Sequence, residues 1–304
     1  MPVKNLKWIY LILLSLVWGS SFILIKKGLV GLTALQLGSF RIIFAAAFLI
    51  IVGFKSIYRL KRQQWKWIVI SGFLGSFFPV YLFAFAETEI DSAVASILNA
   101  TTPLMTLIFG VIFFGMLYTQ NKITGVIIGL IGTLGLIISG AQVNPDQNYL
   151  YSGLVVLAAG CYAVNVNILK KYMNDISALG IAAGNFLVLL GPALAVLFLT
   201  DFSIVDIAAS EEVKLSVLYV AILGVIGTGI ALIIFNRLIQ ISDPVFSSSV
   251  TYTIPVVGLA WGILDGEIFS WLQLLSTAII LLGVFIVNRP KNLYSKKVSA
   301  EKSS

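Results

Sequence analysis

Unbroken apolar runs separated by short polar hinges dominate this chain. A helix needs roughly 20 apolar residues to cross a bilayer, and ten runs approach that length. In the first half they lie near Leu6–Ile25, Ala34–Phe54, Trp65–Phe85, Ala93–Phe113 and Ile123–Ser139. The second half gives Leu150–Leu169, Leu179–Leu199, Leu215–Phe235, Val245–Leu264 and Trp271–Asn288. The pattern predicts an all-α membrane protein of ten transmembrane helices. Such helices take about 200 residues and leave about nine for each loop or tail, so no folded domain in water is expected. The first run reads as a retained span and not a signal peptide. It is long, no small-residue cleavage site follows it, and Lys26 and Lys27 come directly after.

Charge placement sharpens the topology. With a cytoplasmic N-terminus, 16 of the 20 basic residues fall on the cytoplasmic side, among them Lys4, Lys55, Arg59, Lys122, Lys170, Arg237 and Arg289. Only Lys26, Lys27 and Lys214 fall outside, and Arg41 lies within a span. Most acids take the outer side, including Glu87, Glu89, Asp91, Asp265 and Glu267. Lys and Arg set orientation, so ten spans with both termini cytoplasmic are predicted. Trp8, Trp65, Trp67 and Trp271 sit at span ends, where amphipathic rings prefer to lie.

Composition removes several kinds of chemistry. Hydrophobic residues make up 59% of the chain and charged residues 11%, less than half the share usual in a soluble domain. The chain has no histidine, which excludes a Ser-His-Asp triad, a Cys-His nucleophile and a histidine-ligated metal or haem. A single cysteine, Cys161, makes neither an internal disulfide nor a zinc knuckle. No metal and no cofactor is expected. The net charge of +7 is explained by the oriented loops facing anionic lipid, and no nucleic-acid partner is expected.

The two halves resemble each other. Leu13, Trp18, Gly19, Lys26 and Lys27 match Leu157, Tyr162, Ala163, Lys170 and Lys171, 144 residues on. Gly72 to Gly75 match Ala221 to Gly224 at an offset of 149, and Asp91 and Pro103 match Asp243 and Pro255 at 152. Five spans per copy force the second copy into the membrane upside down. Inverted repeats are a signature of transporters, whose binding site lies at the repeat interface near mid-membrane.

The stretch from Leu16 through Trp18, Gly19, Ser20 and Ser21 to Phe22 resembles the opening motif of the EamA-type transporters of the drug/metabolite superfamily. Arg41 shortly after Leu35 and Gln36, Pro103, and the pattern of Pro255, Gly266, Glu267 and Trp271 fit the same family. The resemblance implies two five-helix repeats, 6–141 and 150–289, around a central cavity, followed by a basic cytoplasmic tail at 290–304. It also implies alternating access with export or exchange of small organic solutes such as amino acids. A bacterial inner membrane is the expected location.

Polar groups inside spans carry the functional candidates, because each costs free energy unless satisfied. Arg41 lies about 10 Å inside the outer end. It reads either as an anchor for a solute carboxylate or as a fixed charge satisfied by a neighbouring helix. Pro103 and Pro255 each break a helix and free a carbonyl one turn earlier. Asn99 and Thr102 beside the first proline, and Ser248 and Tyr252 beside the second, are candidate lining residues. Trp18, Ser21, Tyr81, Tyr162 and Asn165 complete the set, the aromatics as stacking surfaces. Asn167 and Asn185 read as bonds between helices. Glu267 and the cluster of Glu87, Glu89 and Asp91 read as solvated loop charges, with gating as the alternative.

These features predict a secondary transporter and no enzyme, since no nucleophile has a base beside it. No span carries an acid in its middle third, which favours facilitated diffusion or exchange of a neutral or zwitterionic solute. A lipid or lipid-linked-sugar flippase is the alternative. Gly125 and Gly129 on the fifth span offer a face for close helix packing or for a homodimer.

Overall fold

The structure, a computed structural model, describes residues 3–115, 120–143, 146–200, 202, 210–242, 247 and 249–288. It is built from helices, with no strand among the described residues. In chain order they are α1 (Val3–Gly28), α2 (Ala34–Ile57), α3 (Arg62–Ala86), α4 (Ser92–Phe114) and α5 (Gln120–Val143). The second half holds α6 (Tyr149–Tyr172), α7 (Ala178–Phe198), α8 (Glu211–Ile241), α9 (Ile254–Leu264) and α10 (Trp271–Asn288). Seven of these, α1 to α4 and α6 to α8, are long and apolar enough to cross a bilayer. Shorter apolar helices, Ile123–Ser139, Ile254–Leu264 and Trp271–Gly283, stand where the sequence expects the fifth, ninth and tenth spans.

Local chemistry explains the ends and breaks. Thr33 caps α2 in a reciprocal box: its Oγ1 accepts from Gln36 N, and Gln36 Oε1 accepts from Thr33 N. Ser177, 144 residues on, caps α7 by accepting from Gly180 N. α3 and α8 each contain a wider π-helical stretch, at Phe73–Phe77 and Leu223–Ile230. α4 breaks after Asn99 and restarts at Thr102 with Pro103 in its first turn. Pro103 leaves the Asn99 carbonyl without its helical donor, and Thr102 Oγ1 fills the place at 2.7 Å. Before Pro255, a single tight turn at Ser249–Tyr252 leads into α9.

Packing repeats between the halves. α1 lies on α8 and α9, and the matching helix α6 lies on α3 and α4. α2 packs against α8 as α7 packs against α3, while α2 with α7, α4 with α9 and α5 with α10 pair across the centre. Exchanging the halves maps each of these contacts onto its counterpart and each central pair onto itself, as an approximate two-fold axis requires. The halves also point opposite ways. The C-terminal end of α1 meets the start of α8 through Gly31 and Ser216, whereas the C-terminal end of α6 meets the finish of α8 through Lys170 and Ser242.

Large apolar side chains such as Ile51, Phe54, Phe113, Leu134, Phe198 and Phe285 remain on the outside, the surface a lipid-facing bundle needs. The glycine face of α5 is not among these free surfaces. A Cβ built on Gly283 of α10 would lie 2.4 Å from Gly129 N and 2.7 Å from Gly125 O. Small residues let the two backbones approach. The face that the sequence offered to a second copy is therefore covered by α10 of the same chain.

Candidate functional site

A cavity lies between the halves, walled by helices from both, with about 1020 Å³ of space free of protein atoms once its open mouth is counted. Equivalent positions meet across it. Trp18 and Tyr162, Ser21 and Asn165, and Arg41 and Asn185 stand 144 residues apart, and all six line it. Asn99 and Thr251, and Thr102 and Ile254, stand 152 apart and line it too. A site at a repeat interface is reached from both copies, so each copy contributes the same places with different chemistry.

The π-helical stretch of α8 organises one wall. Trp18 Nε1 donates to Gly227 O at 3.0 Å, and Arg41 Nε donates to Thr228 Oγ1 at 2.9 Å. A π turn is a frequent device at functional sites because it offsets the helical bonding pattern locally. Arg41 is 7% exposed, and among the described residues its other nitrogens have no hydrogen-bond partner. Nearby walls carry acceptors and rings. Asn165 is seated against Gly75, where a built Cβ would lie 2.2 Å from Asn165 Nδ2, and its Oδ1 is buried without a partner. Trp18 meets Phe235 edge-on at 4.9 Å between ring centres, and Tyr162 stacks on Phe83 at 6.1 Å. One cation, free amide oxygen and hydroxyls inside aromatic walls suit a small polar solute carrying a carboxylate.

Seven sequence candidates thus meet in one cavity: Trp18, Ser21, Arg41, Asn99, Thr102, Tyr162 and Asn165. Tyr81 stands apart from them. Its hydroxyl pairs with Ser39 Oγ at 2.9 Å, and its ring rests where a side chain at Gly38 would be. Ser248 and the side chain of Tyr252 lie outside the described residues. Asn167 ties α6 to α4 through Thr106 O at 3.1 Å, as expected of an interhelical bond. Asn185 bonds Ser71 Oγ and also lines the cavity. Ser76, Thr228 and Asn236 were not singled out from the sequence but line it as well. For Asn185 the usable signal is its 144-residue offset from Arg41; for Thr228 no such signal exists.

One end of the bundle gathers acids. Gly266, with φ of 85°, reverses the chain after α9, and Glu267 N closes the turn on Gly262 O at 2.9 Å. The Glu267 carboxylate then lies at the start of α4. It accepts from Ser92 Oγ at 2.7 Å, Ser92 N at 3.3 Å and Ala93 N at 3.2 Å, where the helix dipole favours an anion. Lys26 Nζ bridges Glu267 Oε1 and Asp265 Oδ2, both at 2.8 Å, and Lys27 also holds Asp265. The bonds to Lys26 and Lys27 hold the Asp265 carboxyl below its ordinary range. Burial and Glu267 push Asp91 up against a bond from Gln147. The reading of these acids as solvated loop charges fails for two of them: the Glu267 side chain is 2% exposed, and Glu87 is buried.

The comparisons agree with this architecture. The EamA-like transporter family matches residues 6–138 and 150–289. A probable terminal-alkyne amino-acid exporter of Streptantibioticus cattleyicolor is 25% identical over 92% of this chain and 92% of its own. An uncharacterised inner membrane transporter of Escherichia coli strain K12, YedA, is 26% identical over 93% and 91%. A solved structure described only as the crystal structure of a protein shares the fold with a TM-score of 0.66, at 17% identity over 95% of this chain and 97% of that one. With two family matches spanning most of its length and multiple apolar helices around a shared cavity, this chain belongs to the EamA-like transporter family as an integral, multi-pass transporter of small molecules.

Proposed function

We propose that this protein moves small zwitterionic organic solutes of amino-acid type across a bacterial inner membrane by alternating access, as a facilitator or exchanger. The observation that carries the reading is Arg41, buried at the cavity wall with one hydrogen bond and its remaining nitrogens unclaimed. Asn165 Oδ1, unpaired in the same cavity, is an acceptor for the ammonium of such a solute. The repeats are 6–141 and 150–289, with the tail at 290–304 and both termini in the cytoplasm, which puts the acidic end outside. The exporter and inner-membrane names of two relatives support the solute class and the location.

The test is counterflow in proteoliposomes with a panel of labelled amino acids, amines and nucleosides. Accumulation of an amino acid against unlabelled internal solute, lost in Arg41→Ala, is the expected result. Movement of labelled lipid between leaflets with no counterflow of any solute in the panel would replace this reading with the flippase.

A further inference from the structure

We infer that Glu87 is a proton-binding site that keeps the acidic end of the bundle shut, a role that rests on the orientation proposed above. Glu87 caps the C-terminal end of α3 and is 8% exposed. Neither of its carboxylate oxygens has a hydrogen-bond partner among the described residues. A carboxylate stripped of water and left without donors is far costlier than a neutral carboxyl.

The charges around it do not remove the cost. Arg41 from α2 and Lys26 from α1 favour its ionised form, while Glu267 from the turn after α9 opposes it. Lys26 is already held by Asp265 and Glu267, and Arg41 donates to Thr228 of α8 and makes no hydrogen bond to Glu87. On its own segment Glu89 is half-buried, and Asp91 is bonded by Gln147. Burial therefore wins, and the Glu87 carboxyl holds its proton well above the ordinary range.

Parting the ends of α1, α4 and the turn after α9 would hydrate Glu87 and let it ionise. Closing them again takes the proton back. Acid outside thus favours the closed end, and this preference fades as pH rises through the raised value. The inverted copy shows the device to be one-sided. The 149-residue offset that relates Gly75 to Gly224 places Asn236 opposite Glu87, and Asn236 bonds Ala178 O at 3.4 Å without any group to titrate. A proton that comes and goes from one side only is not carried across, so the site regulates a facilitator and does not drive it.

The test uses the full chain in nanodiscs, with no solute, and reads amide hydrogen exchange corrected for its chemical pH dependence. Segments 87–93 and 262–270 of the wild type should exchange about tenfold faster for each pH unit gained within the window. Glu87→Gln should show the slow, closed pattern at every pH. Infrared difference spectra provide a second readout, in which a protonated carboxyl band of the wild type disappears in Glu87→Gln and persists in Glu89→Gln. Exchange in Glu87→Gln that still follows pH as in the wild type, or an unchanged carboxyl band, overturns the assignment. Because no solute is used, failure here is distinct from failure of counterflow, which would count against the proposed substrate class alone.

Discussion

Lys26 and Lys170 occupy equivalent positions in the two halves, 144 residues apart, and fasten opposite ends of the bundle with different partners. Lys26 Nζ meets two carboxylates, Asp265 and Glu267, at 2.8 Å each. Lys170 Nζ donates to two carbonyls, Ser242 O at 2.8 Å and Ile239 O at 3.2 Å. One latch is therefore ionic and the other is a helix-end bond, so salt and pH act on one end alone. Lys26→Met leaves Asp265 with Lys27 and Glu267 with Ser92, and with Lys26 about a third exposed the cost should stay near 1 kcal/mol. Hydrogen exchange should quicken at 262–270 in Lys26→Met and at 239–242 in Lys170→Met. Equal quickening at both ends in either variant would show that the latches are not local.

Gly75→Ala tests the seat of Asn165. The new methyl would fall 2.2 Å from Asn165 Nδ2, the end of a side chain that can swing away, so the fold should survive. The amide would leave its place in the cavity wall. Thermal stability in detergent should change by less than about 1 kcal/mol, while the KM for counterflow should rise about tenfold. A KM equal to that of the wild type would remove Asn165 from the binding surface.

Much of this architecture is legible in the sequence because a bilayer leaves few options. Apolar run lengths, the Pro103 and Pro255 breaks and the 144-residue match of Trp18 with Tyr162 follow from constraints each residue carries by itself. Tyr81 shows where that reasoning ends. An aromatic inside a span either faces a cavity or fills a groove, and only its neighbours Gly38 and Ser39 on another helix decide which. Glu87 shows the opposite failure. Its loop-like setting beside Glu89 and Asp91 suggests water, but the turn built by Gly266 brings Glu267 and Lys26 over that end, and Glu87 lies buried.

Gly283→Ala should be costly in the fold and not in the site. Its Cβ would meet Gly129 N at 2.4 Å and Gly125 O at 2.7 Å, and backbone atoms of two packed helices have nowhere to go. The expected loss is about 1–3 kcal/mol or more, read as a lower unfolding temperature in detergent. Since no described residue of α5 or α10 lines the cavity, KM in the folded fraction should not move. A stable variant with altered KM would mean that this helix pair reaches the site.

Acid should unfasten the ionic latch at a lower pH than it protonates Glu87. Asp265 is held below its ordinary range by Lys26 and Lys27, so its contribution to stability is complete above the ordinary aspartate range and fades as pH falls through the lowered value. Glu87 has the opposite sign, its raised value favouring the closed form as pH falls. Exchange at 262–270 should therefore slow on mild acidification and quicken again in strong acid. Asp265→Asn should abolish the second limb and keep the first. Loss of both limbs together would show that one group accounts for the whole profile.

Arg41 has one anchoring bond, and separating that bond from the charge decides what the residue does. Arg41→Ala removes both and should abolish counterflow. Thr228→Val keeps the guanidinium and removes the acceptor 2.9 Å from Nε, so the cation stays in the cavity with its orientation loosened. A hydrogen bond to a charged group is worth about 1.5–3 kcal/mol. If it serves to aim Arg41 at a solute carboxylate, KM should rise about tenfold or more while the maximal rate stays near that of the wild type. Arg41→Lys keeps a charge but loses the planar fork that meets a carboxylate with two parallel bonds. It should transport amino acids with raised KM and lose preference for them over amines. Wild-type KM and preference in Arg41→Lys, together with a destabilised Arg41→Ala, would make the guanidinium a structural charge and move the carboxylate anchor elsewhere.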